Sequence, residues 1–164
     1  MKKVCVFLLV VMLLTGCGQQ NYEVRQAPCG SEAETSVPGV ISICKADELA
    51  APVMSTYDGD CLYIADTYEV YLQTLPGGDL NETMKQCTGF DREKLTVLQT
   101  QKDGLTRYDC VWSSAGEGTQ CIGRTTILDD GSYHYVLTIT GQNGEEVADV
   151  WQQLSESFTV NIVQ

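Results

Sequence analysis

The stretch from Tyr133 to Val160, YHYVLTITGQNGEEVADVWQQLSESFTV, decides the fold, because it changes period in the middle. Its first nine residues are rich in β-branched and aromatic side chains, which suit a pleated, half-buried surface. Asn143 then stands where an N-cap belongs, with Glu146 three positions on, the spacing of a capping box. Behind that cap, Val147, Val150, Trp151, Leu154 and Phe158 recur at helical intervals and form one apolar stripe. Trp151 lies in mid-stripe and is expected to anchor the helix. A helix with a single apolar stripe needs a surface to bury it on, and the preceding strand points to a sheet. TVNIV, from Thr159, is a candidate edge strand.

Working outward, Asp103–Gly104 and Asp130–Gly131 are hairpin dipeptides, and SSAGEG (113–118) is a further break between them. Leu95 to Thr140 therefore reads as a four-stranded antiparallel meander. A type I′ turn at Asp130–Gly131 would set Leu128 against Tyr133 and Thr126 against Tyr135. Upstream, VISIC (40–44), CLYIA (61–65) and TYEVYLQTL (67–75) are short strand-like runs, and Asp58–Gly59 is another hairpin signal. A first helix is expected between Asp79, its cap, and Gly89, its stop, with Leu80, Met84 and Cys87 on one face. Both faces of the meander carry apolar residues, so each face wants a covering layer. The expected class is α+β. It is a twisted antiparallel sheet covered by helices, with the C-terminal helix on one face and the N-terminal segments and first helix on the other.

The order of a late meander, YHYVLTITG, followed by a capped helix ending in WQQLSESFTV, resembles the PsbP-like fold over roughly residues 40–160. That resemblance implies an α/β/α sandwich serving as a binding or assembly factor without catalysis. It rests on element order, so no functional residue carries over.

The start of the chain reads differently. Met1-Lys2-Lys3 is basic, and Val4–Leu14 is an uncharged apolar run. In a helix these eleven residues cover about 16 Å, too little for a bilayer core of about 30 Å. This is the pattern of a secretory leader. It closes on Leu14-Thr15-Gly16-Cys17, which resembles the lipobox of bacterial lipoproteins. The resemblance implies diacylglycerol on Cys17 and cleavage before it, and two acyl chains suffice for stable anchoring. Residues 1–16 are then the signal, 17–39 a lipid-anchored polar tether ending at Pro38–Gly39, and 40–164 a single domain facing outside the cytoplasm.

The net charge is −12. Loss of Lys2 and Lys3 would leave eight basic against 22 acidic side chains. Nucleic acid, which needs a basic footprint, is excluded. Cys5 leaves with the leader and Cys17 carries the lipid. Cys29, Cys44, Cys61, Cys87, Cys110 and Cys121 remain, an even set that reads as disulfides in an exported chain. Cys110 and Cys121 flank SSAGEG almost symmetrically, and a four-residue turn from Ser114 to Glu117 would set them opposite each other, close enough for a disulfide.

Nothing catalytic stands out. His134 is the only histidine, and it is placed on a strand beside no nucleophile motif. There is no C-x-x-C pair for zinc, no phosphate loop and no serine elbow. No cofactor or metal is implied. Carboxylates beside the hairpin glycines suit turns. Tyrosines remain: Tyr63, Tyr68, Tyr133 and Tyr135 are a candidate surface for a protein or glycan ligand, since each ring pairs an apolar face with a polar tip. Three readings stay open at this point: a lipid-anchored binding or assembly module, a surface hydrolase with a site drawn from distant residues, and a structural envelope component.

Overall fold

The computed structural model describes residues 37–44, 49, 51–56, 59–116 and 119–162. The leader, Cys17, Cys29 and the tether before residue 37 lie outside them. One compact unit runs from Thr35 to Gln164. Its strands are β1 (Val40–Ser42), β2 (Met54–Ser55), β3 (Cys61–Ile64), β4 (Tyr68–Pro76), β5 (Thr96–Lys102), β6 (Leu105–Gly116), β7 (Thr119–Asp129), β8 (Tyr133–Gly141) and β9 (Thr159–Asn161). Helix α1 is Leu80–Thr88, α2 is Gly144–Ser157, and a 3-10 turn spans Arg92–Lys94.

Seven strands form an antiparallel sheet in the order β2-β3-β4-β8-β7-β6-β5, and β1 pairs with β9 in a separate ribbon. β5 to β8 are the expected meander. The meander returns to β4, whose nine residues pair along the whole of β8, so β8 is central. The α+β class and the antiparallel sheet agree with the sequence reading, but the layers are thinner than expected. Each face of the sheet carries one helix. On the front face, Val147, Leu154 and Phe158 of the α2 stripe are buried with Val70, Leu72, Leu137 and Ile139. On the back face, Met84 of α1 packs with Ile127 and Val136. Leu98 and Val111, on the front of β5 and β6, stay 61% and 51% exposed.

Local signals explain both helices. The Asp79 carboxylate accepts from Asn81 N at 2.8 Å, and Gly89 closes α1 at φ 81°, in the left-handed region that favours glycine. Asn143 Oδ1 accepts from the amides of Glu145 and Glu146. Glu146 does not complete a capping box; its carboxylate accepts from Thr67 Oγ1 instead.

The N-terminal segment lies on the front face, with α2, and not on the back. β1 completes the ribbon with β9, and Ile41 and Ile43 pack on the front core. Pro38 and Gly39 belong to this folded unit, because the buried Gly39 donates its N–H to Tyr135 Oη at 2.8 Å.

Two hairpin registers differ from expectation. At the β7–β8 turn the central residues are Gly131 and Ser132, with Asp130 N bonded to Tyr133 O. Gly131 has φ 89° and Ser132 is not in the positive region, the pattern of a type II′ turn. Leu128 therefore faces Tyr135, and Ile127 faces Val136. The slip is two residues, so every side chain keeps its face. At β6–β7, Trp112 lies opposite Gly123 and Ser114 opposite Cys121. The indole covers Gly123 so closely that a Cβ there would come within 2.2 Å of the ring.

Trp151 is half-buried, whereas Phe158 and Leu154 are fully buried. Phe158→Ala is expected to cost about 3–5 kcal/mol in urea unfolding, and Trp151→Ala clearly less. Equal losses would contradict this placement of α2.

Candidate functional site

The tyrosines chosen from the sequence are packed inward rather than displayed on the outside. Tyr63, Tyr68 and Tyr135 are buried in the front core, and Tyr133 packs half-buried against it. Their alternation in β3, β4 and β8 aims all four at the face that α2 and the β1–β9 ribbon cover. Tyr135 carries the polar work. It is fully buried, accepts from Gly39 N–H, and donates to Asp130 Oδ2 at 2.7 Å. The other Asp130 oxygen accepts from Ser132 N and Tyr133 N. Burial, above all, pushes the Tyr135 hydroxyl up to about 12, and the Asp130 carboxylate adds to the shift.

His134 lies on the back face, 1% exposed, beneath α1. Its Nδ1 is 2.7 Å from Thr83 Oγ1, and its Nε2 is 3.8 Å from Asp129 Oδ2. The sequence reading missed Thr83 because 51 residues separate it from His134. Hydroxyl, imidazole and carboxylate in a line resemble a nucleophile, base and orienting acid. Thr83 and His134 are both buried, however, and neither lines the clefts at the start of α2, beside β1, beside Trp112, at the β3–β4 turn or beside Arg92. The arrangement pins α1 to β8.

A second polar cluster ties α2 to the front of β5–β7. Trp151 Nε1 donates to Thr126 Oγ1 at 2.9 Å, and Thr126 donates to Asp109 Oδ1 at 2.7 Å. Arg107 Nε meets both Asp109 oxygens. The guanidinium groups of Arg107 and Arg124 lie 5.8 and 5.1 Å from the Trp151 ring centre, within reach of the ring quadrupole. Lys102 Nζ donates to the carbonyls of Ser155 and Glu156, placing a cation at the negative end of the α2 dipole.

Charge is unevenly distributed. A cleft of about 910 Å³ at the start of α2 is lined by Asp66, Glu145, Glu146 and Asp149 and, among the described residues, by no cation. Lys102 and Arg107 reach the other end of α2, where both donate to the Ser155 carbonyl, and Asp109 pairs with Arg107. Among the described residues no three His, Cys, Asp or Glu side chains converge as a metal set.

The cysteines do not pair as expected. Cys110 lies opposite Thr125, and Cys121 opposite Ser114, four rows along the same face. At about 3.4 Å per residue that separation is far beyond disulfide reach. Cys44, Cys61, Cys87, Cys110 and Cys121 are free thiols. Thiols ordinarily near 9.0 are pushed up mainly by burial, Cys87 to about 12 and Cys110 to about 11. Below about pH 9 the folded and unfolded thiols are both protonated and contribute no difference. Above about pH 9 only the unfolded chain ionises, so stability falls as pH rises towards 11. Urea midpoints should therefore drop between about pH 8 and about pH 10.5, with a shallower drop in a Cys87→Ser/Cys110→Ser variant. An unchanged slope in that variant would contradict the burial of these thiols.

No family model matches the sequence, and no curated protein does. The fold is similar to the crystal structure of LpqN, involved in cell envelope biogenesis of Mycobacterium tuberculosis. The TM-score is 0.50 at 12% identity, over 79% of this chain and 87% of that one. The likeness is one of fold, between two chains with little sequence in common.

Proposed function

We propose that this chain is a lipid-anchored, extracytoplasmic envelope protein that works as a binding or assembly module. The observation that carries the reading is the order Lys2-Lys3, uncharged Val4–Leu14, then Leu14-Thr15-Gly16-Cys17. Each part does a separate job: the basic end orients the leader, the short apolar core enters the export machinery, and the cysteine accepts the lipid. The fold likeness to a protein involved in cell envelope biogenesis supports the same setting. The finer fold reading is PsbP-like, supported by a late meander feeding a capped helix and a short final strand. A binding role is favoured over hydrolysis because the one histidine is buried beneath α1, with its Nδ1 against Thr83 Oγ1. The membrane is met through the lipid, and the acidic body suits solubility beside a negative surface.

Cys17 should carry diacylglycerol in cells. Intact mass spectrometry of the membrane-extracted protein is expected to show an acylated chain beginning at Cys17. Cys17→Ser should move the protein out of the membrane fraction or leave the uncleaved precursor. A native chain that retains Met1 and has no acyl addition would overturn the proposal.

A further inference from the structure

β6 is longer than the strand that flanks it. β5 pairs with β6 only as far as Thr96 opposite Val111, yet β6 continues to Gly116. β5 is the last strand in the sheet order, so among the described residues no strand lies beside β6 beyond Val111.

The hairpin chemistry fixes which backbone groups face this empty lane. Asp103 and Gly104 both have positive φ and form a two-residue loop closed by Lys102 opposite Leu105. In such a loop the closing pair exchanges both backbone hydrogen bonds. Every second residue of β6 from Leu105 therefore directs its N–H and C=O towards β5, and those between bond to β7. Continuing that alternation, Ser113 and Ala115 direct their N–H and C=O into the empty lane. A groove of about 470 Å³ opens there. Its back wall is Phe90, Leu95 and Trp112, its front wall Val111 and Ile122, and among the described residues its one charge is Lys94. The Lys94 side chain is 69% exposed, and its nearest carboxylate, Asp91, is shared with Lys85 at 3.0 Å.

We propose that the lane beside Ser113–Ala115 accepts an extended acidic segment of a protein partner as an eighth strand, an inference that rests on the binding-module reading. Backbone bonds to Ser113 and Ala115 hold the segment, alternate side chains enter the two apolar walls, and a carboxylate meets Lys94. The charge selects the occupant. A second copy of this chain pairing here would bring Trp112–Gly116, which holds no acid for Lys94, and a body with the same acidic excess.

The test uses the full chain in detergent and two labelled nine-residue peptides, one alternating Val with Glu and one alternating Val with Lys. The Glu peptide is expected to bind at least tenfold more tightly and to slow amide exchange at Ser113 and Ala115. Ser113→Pro removes an outward N–H and leaves the β7 ladder intact, so binding should fall at least tenfold with an unchanged circular dichroism spectrum. Lys94→Glu, a surface change, should reverse the peptide preference. The proposal is overturned if neither peptide binds, if binding ignores Ser113→Pro, or if the free chain dimerises through this edge in sedimentation and Ser113→Pro restores the monomer. A chain that is acylated and membrane-bound yet ignores both peptides would lose the groove and keep the envelope assignment.

Discussion

The Asp130 carboxylate holds together the turn, the central strand and the entering chain. One oxygen accepts from the amides of Ser132 and Tyr133, which shapes the Gly131–Ser132 turn. The other accepts from the buried Tyr135 hydroxyl, which in turn accepts from Gly39 at the entry to β1. β8 is the strand both halves of the sheet share, pairing with β4 on one side and β7 on the other. A shift in its register would therefore move the whole core. Hydrogen bonds to a charged acceptor are stronger than neutral ones, and this acceptor is partly sheltered from water.

From that register the two faces follow. The front face collects Val70, Leu72, Leu137 and Ile139 under the stripe of α2. The back face collects Ile127 and Val136 under Met84, with Thr83 and His134 completing the contact. The polar groups that looked chemically useful in isolation are consumed by this construction. Tyr135 and His134 join elements that are far apart in sequence. The open features lie elsewhere, at the acidic cleft beside the α2 N-terminus and at the unfilled lane along β6. The lane is a place where one strand ends before its neighbour does.

Much of the architecture was legible because its signals are local. Asn143 and Asp79 cap their helices, Gly89 stops α1, and Asp103–Gly104 turns the β5–β6 hairpin. The registers of the other two meander hairpins were not legible, because neighbouring turn types are nearly equivalent locally and tertiary groups choose between them. Asp130–Gly131 suits a type I′ turn, but the Asp130 side chain favours Gly131–Ser132. At SSAGEG the two flanking cysteines drew the pairing four residues away from the one that seats Trp112 on Gly123. A tryptophan able to cover a cross-strand glycine was the missed signal. The burial of the tyrosines was hidden for a related reason. Alternation shows that side chains share a face, not whether another element covers it. The lane at Ser113 depends on the unequal lengths of β5 and β6, and strand ends are the least certain part of a sequence reading.

The register of β7 against β8 is the claim on which the others stand, and nuclear Overhauser contacts between backbone Hα protons read it directly. With the Asp130 N–Tyr133 O pair closing the turn, Ile127 and Val136 form a non-hydrogen-bonded pair whose Hα protons approach closely. A strong Ile127–Val136 Hα–Hα contact is the expected result. A strong contact between Leu128 and Tyr133, or between Thr126 and Tyr135, would contradict it and with it the clasp at Asp130.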